Sequence, residues 1–240
     1  MQRAVDHGTK FADDVQGCAV GAVRSLSSVV YPLFRCLCSK QRSKAALLVG
    51  LDDAGKTSIL CALPEVRRQL RRFAEAHDID EFHTAPTTGL QLIKVAMARG
   101  HRKGCRRRSI VRWDIWDMSG QGRYRPLWMY YCTLVQAIIY VIDVTDVARA
   151  ATARDELKAL FAHPATKGLP LLVLANKGDL SLRSLSHDEP IMTVESLRTL
   201  LNLDALQLQR RLNIKIVETS ALTGKGIEPA FQWLTDAVAW

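Results

Sequence analysis

No uninterrupted apolar run in this sequence reaches the length a bilayer-spanning helix needs. The most apolar N-terminal stretch, residues 18–38, carries Arg24 and Arg35. It also begins too late and lacks the flanks of a secretory signal. The six cysteines show no zinc-ligand spacing, and only Cys36 and Cys38 lie close together. A disulfide framework and a structural zinc site are therefore excluded, and free thiols in a reducing compartment are expected. Aromatic residues make up only 7% and do not interleave with the basic runs. A base-stacking surface is not indicated, and no nucleic-acid partner is expected. No internal repeat is present.

What is there is ordinary globular composition, 48% hydrophobic and 24% charged, which excludes wholesale disorder. The formal net charge is +9, from 33 basic and 24 acidic residues. Residues 96–112 hold Arg99, Arg102, Lys103, Arg106, Arg107, Arg108 and Arg112 with no acid. Arg35, Lys40, Arg42 and Lys44 follow the apolar N-terminal stretch. Basic residues beside an apolar segment suit an anionic membrane surface. A solvated basic loop accounts equally well for residues 96–112.

From Lys44 onward, strand-like runs alternate with helical patterns. The runs are 45–49, 138–142, 171–174 and 214–217. Continuous rather than alternating apolarity fits parallel strands covered on both faces. Helices are expected over 150–162, 193–203 and 228–238. The β-α-β rhythm predicts an α/β fold, a doubly wound sheet with helices on both faces. Residues 90–95 and 110–116 should form an antiparallel pair at one side. Residues 1–43 stand apart as an extension with its linker, leaving 44–240 as the folded domain. In the extension, Val23, Leu26, Val30, Leu33 and Leu37 recur at helical spacing, so an amphipathic helix is expected there, with Pro32 as a possible break.

Directly after the first strand comes Gly50-Leu51-Asp52-Asp53-Ala54-Gly55-Lys56-Thr57-Ser58. Its glycines allow a backbone curl whose N–H groups face a phosphate, and the following helix points its positive end there. Lys56 is placed to reach the β- and γ-phosphates, and the Thr57 hydroxyl to hold Mg²⁺. Asp117, at another strand end, is a second candidate for the Mg²⁺. Gly120 can offer an N–H to the γ-phosphate, and Gln121 can orient an attacking water. Asn176-Lys177-Gly178-Asp179 follows a third strand. The Asp179 carboxylate suits the paired donors of guanine, which adenine lacks. Lys177 can cover the base, Asn176 can brace the loops, and Ser220 and Ala221 can offer N–H groups to the guanine oxygen. Asn176–Asp179 and residues 219–221 are each weak alone. All the motifs in this order, each at a strand end, indicate a guanine-nucleotide site.

Residues 44–240, about four-fifths of the chain, resemble a Ras-superfamily small GTPase of the Arf/Arf-like branch. The marks are Gly50-Leu51-Asp52, Thr84-Ala85-Pro86-Thr87-Thr88-Gly89 and Arg125-Pro126-Leu127-Trp128. Asp117-Met118-Ser119-Gly120-Gln121-Gly122-Arg123-Tyr124-Arg125, with Gln136-Ala137-Ile138-Ile139 and His163-Pro164, is similar to the Bardet–Biedl type of Arf-like GTPase. The resemblance implies a P-loop small G domain with a six-stranded, mostly parallel sheet and one antiparallel edge strand. It implies GTP and GDP as ligands, Mg²⁺ on Thr57, Thr87 and Asp117, and slow GTP hydrolysis that uses Gln121 and Lys56. Thr87 would sense the γ-phosphate in switch one, and 117–131 would be switch two. The strands between them would slide on GTP binding and release an N-terminal helix to a membrane. Implied partners are an exchange factor, a GTPase-activating protein, a membrane surface and a BBSome-type coat, for a monomeric, cytoplasmic, peripheral-membrane protein at the cilium.

The sequence departs from that pattern in places. Residue 2 is Gln2, not the glycine that N-myristoylation requires; S-acylation of Cys36 or Cys38 would be a substitute anchor. The extension is long, and 64–83 and the basic loop are enlarged. Asp53 adds a carboxylate to the phosphate loop. A GTP-binding scaffold that does not hydrolyse is the alternative reading, and an ATP-using P-loop kinase is disfavoured by Asn176–Asp179.

Overall fold

In the computed structural model, which describes residues 43–77, 86–98, 110–180 and 191–238, the first apolar run forms strand β1, Lys44–Val49. Its side chains alternate between two cores. Ala46 and Leu48 enter one, Leu47 and Val49 the other. That is the period-two pleat of a strand covered on both faces, which is why its sequence is apolar throughout. β4, Ala137–Asp143, is buried at every position and divides in the same way.

Six strands form one sheet in the order β2-β3-β1-β4-β5-β6. The others are β2 (Leu90–Ala98), β3 (Ile110–Met118), β5 (Leu171–Asn176) and β6 (Ile214–Glu218). β2 runs antiparallel to β3, from Leu90 opposite Met118 to Ala98 opposite Ile110. All other pairings are parallel. The doubly wound, mostly parallel sheet with one antiparallel edge strand is thus as expected. β1 lies between β3 and β4, so the strand order reverses at its carboxyl end. In such sheets this crevice is where ligands bind.

Helices α1 (Lys56–Ala62), α2 (Pro64–His77) and α7 (Ile227–Ala237) contribute to one core. The other receives α3 (Trp128–Tyr131), α4 (Ala150–Ala162), α5 (Val194–Leu200) and α6 (Leu203–Arg210). A proline sets the break between α1 and α2. Leu63 is extended, with φ −58° and ψ 132°, because a residue before proline is driven from the helical region. Pro64 then occupies the first position of α2, where its missing N–H costs nothing. Val66 and Leu70 pack inward, while Arg67, Arg68, Arg71 and Arg72 are exposed or partly so on the far side. Within the enlarged region 64–83, therefore, Pro64–His77 is helical.

One expectation needs correcting. The helix read over 193–203 stops at Leu200 as α5, Leu201 and Asn202 form a turn, and Leu203 already belongs to a separate helix, α6, that runs on to Arg210. Asn202 has φ 51° and ψ 45°, a left-handed conformation that asparagine tolerates better than most residues. α6 was not anticipated. The amphipathic N-terminal helix, Cys36 and Cys38, Thr84 and Ala85, and the basic loop at 99–109 lie outside the described residues. Among the described residues no helix is long and apolar enough to cross a membrane.

Candidate nucleotide site

The loop 50–55 turns sharply from β1 into α1. Gly50 has φ 148°, and a Cβ there would lie 2.2 Å from the Val141 carbonyl oxygen on β4. Gly55 has φ 84°, and its Cβ would strike the Asn176 amide at 2.4 Å. Both positions therefore require glycine. Lys56 is buried, and its Nζ donates to the carbonyls of Gly50 (3.0 Å) and Leu51 (2.6 Å). Burial pulls its pKa down to about 8, opposed by the charge of Asp117. A cleft of about 560 Å³ opens here, lined by Asp52, Asp53, Gly55, Lys56, Thr57, Ser58, Pro86, Thr87, Ser119, Gly120, Gln121 and Lys177. Asp53 is exposed, in a left-handed conformation with φ 60°. Ala54 is buried.

Three expected cation ligands converge from separate segments. The Thr57 hydroxyl donates to Asp117 Oδ2 at 2.6 Å and lies 2.9 Å from the Thr87 hydroxyl. Thr87 Oγ1 is 3.5 Å from the same carboxylate oxygen. Burial pushes the Asp117 pKa up to about 6, against the Thr57 hydrogen bond and the charge of Lys56. Asp117 Oδ1 is buried and has no hydrogen-bond partner. A buried, unpartnered carboxylate oxygen beside two hydroxyls is a hard-oxygen donor set, and it fits Mg²⁺.

At the base end, Asn176 is buried and joins two loops. Its Nδ2 donates to the Ala54 carbonyl at 2.8 Å, and its Oδ1 accepts the Ala221 N–H at 3.1 Å. Gly178 N–H donates to the Thr219 carbonyl at 3.0 Å, which sets half-buried Asp179 beside the 219–221 turn. Within that turn Ser220 is fully buried, and its Oγ accepts the Thr223 N–H at 3.1 Å. Lys177 has φ 65°, and its Nζ pairs with Asp143 Oδ2 at 2.6 Å.

Beyond β3, Gly120 lies against the phosphate loop. A Cβ on it would be 2.3 Å from the Asp52 nitrogen. Gln121 is half-buried at the rim of the cleft. Buried Trp128 donates from Nε1 to the Ser119 carbonyl at 3.1 Å, pinning the start of this segment.

Three residues around the site had no role in the sequence reading. Asp143 holds the Lys177 ammonium. Arg125, which opens the Arg-Pro-Leu-Trp run, bonds Gly120, Asp52 and Glu156. Arg149 pairs with Asp52 and Asp146. Arg149 directly precedes α4, where a positive charge opposes the helix dipole. That misplacement was the one available signal that it serves an acid elsewhere. Against burial, a backbone hydrogen bond, then the Arg149 charge and the Arg149 and Arg125 hydrogen bonds, hold the Asp52 carboxyl below its usual range.

A profile of the ADP-ribosylation factor family matches residues 30–238. ADP-ribosylation factor-like protein 1 of Caenorhabditis elegans is 32% identical over 81% of this chain and 89% of its own. ADP-ribosylation factor-like protein 6 of Danio rerio is 33% identical over 83% and 90%, respectively. Among solved structures, the Arl6 BBS3 small GTPase of Trypanosoma brucei, with the bound nucleotide analogue GppNp, superposes with a TM-score of 0.61. It covers 82% of this chain and 98% of its own at 22% identity, a likeness of fold.

Proposed function

The chain belongs to the ADP-ribosylation factor family of small GTPases, and from that membership we propose how its site works and where it acts. It is a guanine-nucleotide switch that hydrolyses GTP to GDP and phosphate. The observation that carries the proposed site is the meeting of Thr57, Thr87 and Asp117 from three separate segments. A γ-phosphate that recruits Thr87 to this cluster would fix the segment that bears it, and its loss would release that segment.

In this reading the loop N–H groups of 50–58 and Lys56 bind the phosphates, and the Gly120 N–H adds a donor to the γ-phosphate. Thr57, Thr87 and Asp117 hold Mg²⁺. Bound there, the ion neutralises charge shared between the β- and γ-phosphates. Gln121 orients a water whose oxygen bonds to the γ-phosphorus as the bond to the β–γ bridging oxygen breaks. The proton ends on the released phosphate. Asp179 accepts from the ring N–H and amine of guanine, and Lys177 covers the base under the hold of Asp143; the guanine oxygen must share the Ala221 N–H with Asn176 Oδ1 (3.1 Å) and the Ser220 N–H with the Lys225 carbonyl (3.1 Å). Intrinsic hydrolysis is slow and depends on an activating protein, and exchange depends on a second partner.

In the GTP state the protein associates with membrane through its N-terminal segment and recruits a BBSome-type coat at the cilium. The likeness of residues 117–125, 136–139 and 163–164 to the Bardet–Biedl type of Arf-like GTPase, beside the similarity to factor-like protein 6, supports this. The exposed side chains of Leu92, Met129 and Tyr130, on β2 and α3, supply apolar surface for such a partner. The test compares Gln121→Leu, expected to retain GTP, with Thr57→Asn, expected to favour GDP. Coat subunits and anionic liposomes should be bound by the first and not the second. Equal binding by both variants would show that neither partner reads the nucleotide.

A further inference from the structure

The peptide unit joining Gly120 to Gln121 is held at both ends. Its carbonyl accepts from Arg125 Nε at 2.6 Å, and its N–H points to Ser119 Oγ at 3.4 Å. Arg125 does not act on this peptide alone. One terminal nitrogen reaches Asp52 Oδ1 at 3.1 Å and the other Glu156 Oε1 at 3.2 Å. The Arg125 side chain is only 13% exposed. A guanidinium so enclosed is tolerated because two carboxylates and a carbonyl take up its donors in its rigid fork.

Asp52 is itself fixed from the other side. Its Oδ2 meets Arg149 at 3.1 Å, and its carbonyl accepts from the same guanidinium at 3.2 Å. Arg149 is bound in turn to Asp146 at 2.5 Å. A continuous chain of contacts therefore runs from the start of α4, through the phosphate loop and Arg125, to the peptide that begins Gln121. The backbone of Gly120 already touches the phosphate loop at Asp52. Arg125 adds the contact that sets the rotation of the peptide beyond it.

We propose that Arg125 is a positioning residue for hydrolysis: it references the Gly120–Gln121 peptide to the phosphate loop, so that the Gln121 amide is aimed at the attacking water. The inference rests on the water-orienting role given to Gln121 above. Misplacing a reacting group by about 1 Å costs up to about a hundredfold in rate. Nucleotide binding draws on other residues, so the loss should fall on the chemical step.

The test is single-turnover GTP hydrolysis by the full chain with Mg²⁺, together with GDP and GTP affinities. The proteins are wild type, Arg125→Met, Arg125→Lys, Gln121→Leu and the Arg125→Met/Gln121→Leu pair. Arg125→Met should slow hydrolysis about ten- to a hundredfold, with GDP affinity within about threefold of wild type. Arg125→Lys keeps the charge beside Asp52 and Glu156 but cannot span all three partners. It should fold as wild type and still hydrolyse several-fold slower, and it carries the test if Arg125→Met folds poorly. The paired variant should be no slower than Gln121→Leu alone, since both changes remove one function. Unchanged hydrolysis in the Arg125 variants, beside a slow Gln121→Leu, would overturn the inference alone. So would GDP affinity falling as far as the rate, or additive losses in the pair. If Gln121→Leu hydrolyses as fast as wild type, the role of Gln121 itself fails.

Discussion

Replacing Asn176 with alanine should uncouple the two halves of the nucleotide site. The side chain is 1% exposed and makes two hydrogen bonds, one to each loop. Each is worth about 1 kcal/mol net, and the Ala54 carbonyl and Ala221 N–H left without partners add a desolvation cost, for a total of about 2–4 kcal/mol. The partners lie 122 and 45 residues away in sequence, so no local rearrangement replaces them. In the proposed site nucleotide bridges the same two loops, so part of the loss should appear as weaker binding. GDP and GTP should weaken together, by about tenfold or more, because neither contact senses the γ-phosphate. Urea unfolding at two GDP concentrations separates the intrinsic loss from the part due to bound ligand. Asn176→Asp is a sharper control. It can still accept from Ala221 but sets a carboxylate oxygen against the Ala54 carbonyl, so it should be worse than alanine. An Asn176→Ala protein within about 0.5 kcal/mol of wild type, with unchanged GDP affinity, would refute the bracing role.

Asp179→Asn should lower GTP affinity about tenfold or more and shift preference toward xanthine nucleotides, as competition binding would read; unchanged GTP binding would remove the guanine assignment. Gly120→Ala should cripple GTP binding, since its Cβ would lie 2.3 Å from loop backbone at Asp52 that cannot move aside; wild-type GTP affinity would contradict that packing. The pH dependence of nucleotide-free protein has two limbs. Asp117 holds its proton more tightly folded than unfolded, so stability should fall as pH rises from about 4 through about 6. Lys56 holds its proton less tightly when folded, so stability should recover as pH rises from about 8 toward 10.5. Thermal unfolding across pH reads both, and Asp117→Asn should erase the acid limb; a flat profile in the wild type would count against both burials.

Much of the site was legible because its motifs are short and consecutive. Gly50 to Thr57 and Asn176 to Asp179 each carry several proposed ligands within one loop, and each follows an apolar run that reads plainly as a strand. Arg125 and Arg149 were not legible. Arg125 meets Asp52 from 73 residues away, and Arg149 from 97, distances over which sequence spacing carries no information. Asp143 closes β4, and its pairing with Lys177 depends on the β4–β5 register that places it opposite Asn176. α2 escaped notice because its inward stripe is thin, Val66 and Leu70, beside four arginines. The expected helix over 193–203 overran α5 because the apolar spacing runs on through Leu200, Leu201 and Leu203; only the backbone at Asn202 shows the break, and α6 beyond Leu203 lies outside that expectation.

Competition for bound fluorescent GDP in Mg²⁺ by GTP, GDP and ATP tests the central claim most directly. A buried site built to pair with the donors of one base rejects its analogue by about 10⁴–10⁵. GTP and GDP should displace the probe at similar low concentrations, while ATP should fail to do so even at about a thousandfold excess. Displacement by ATP in the same range as GTP would contradict the guanine-nucleotide switch.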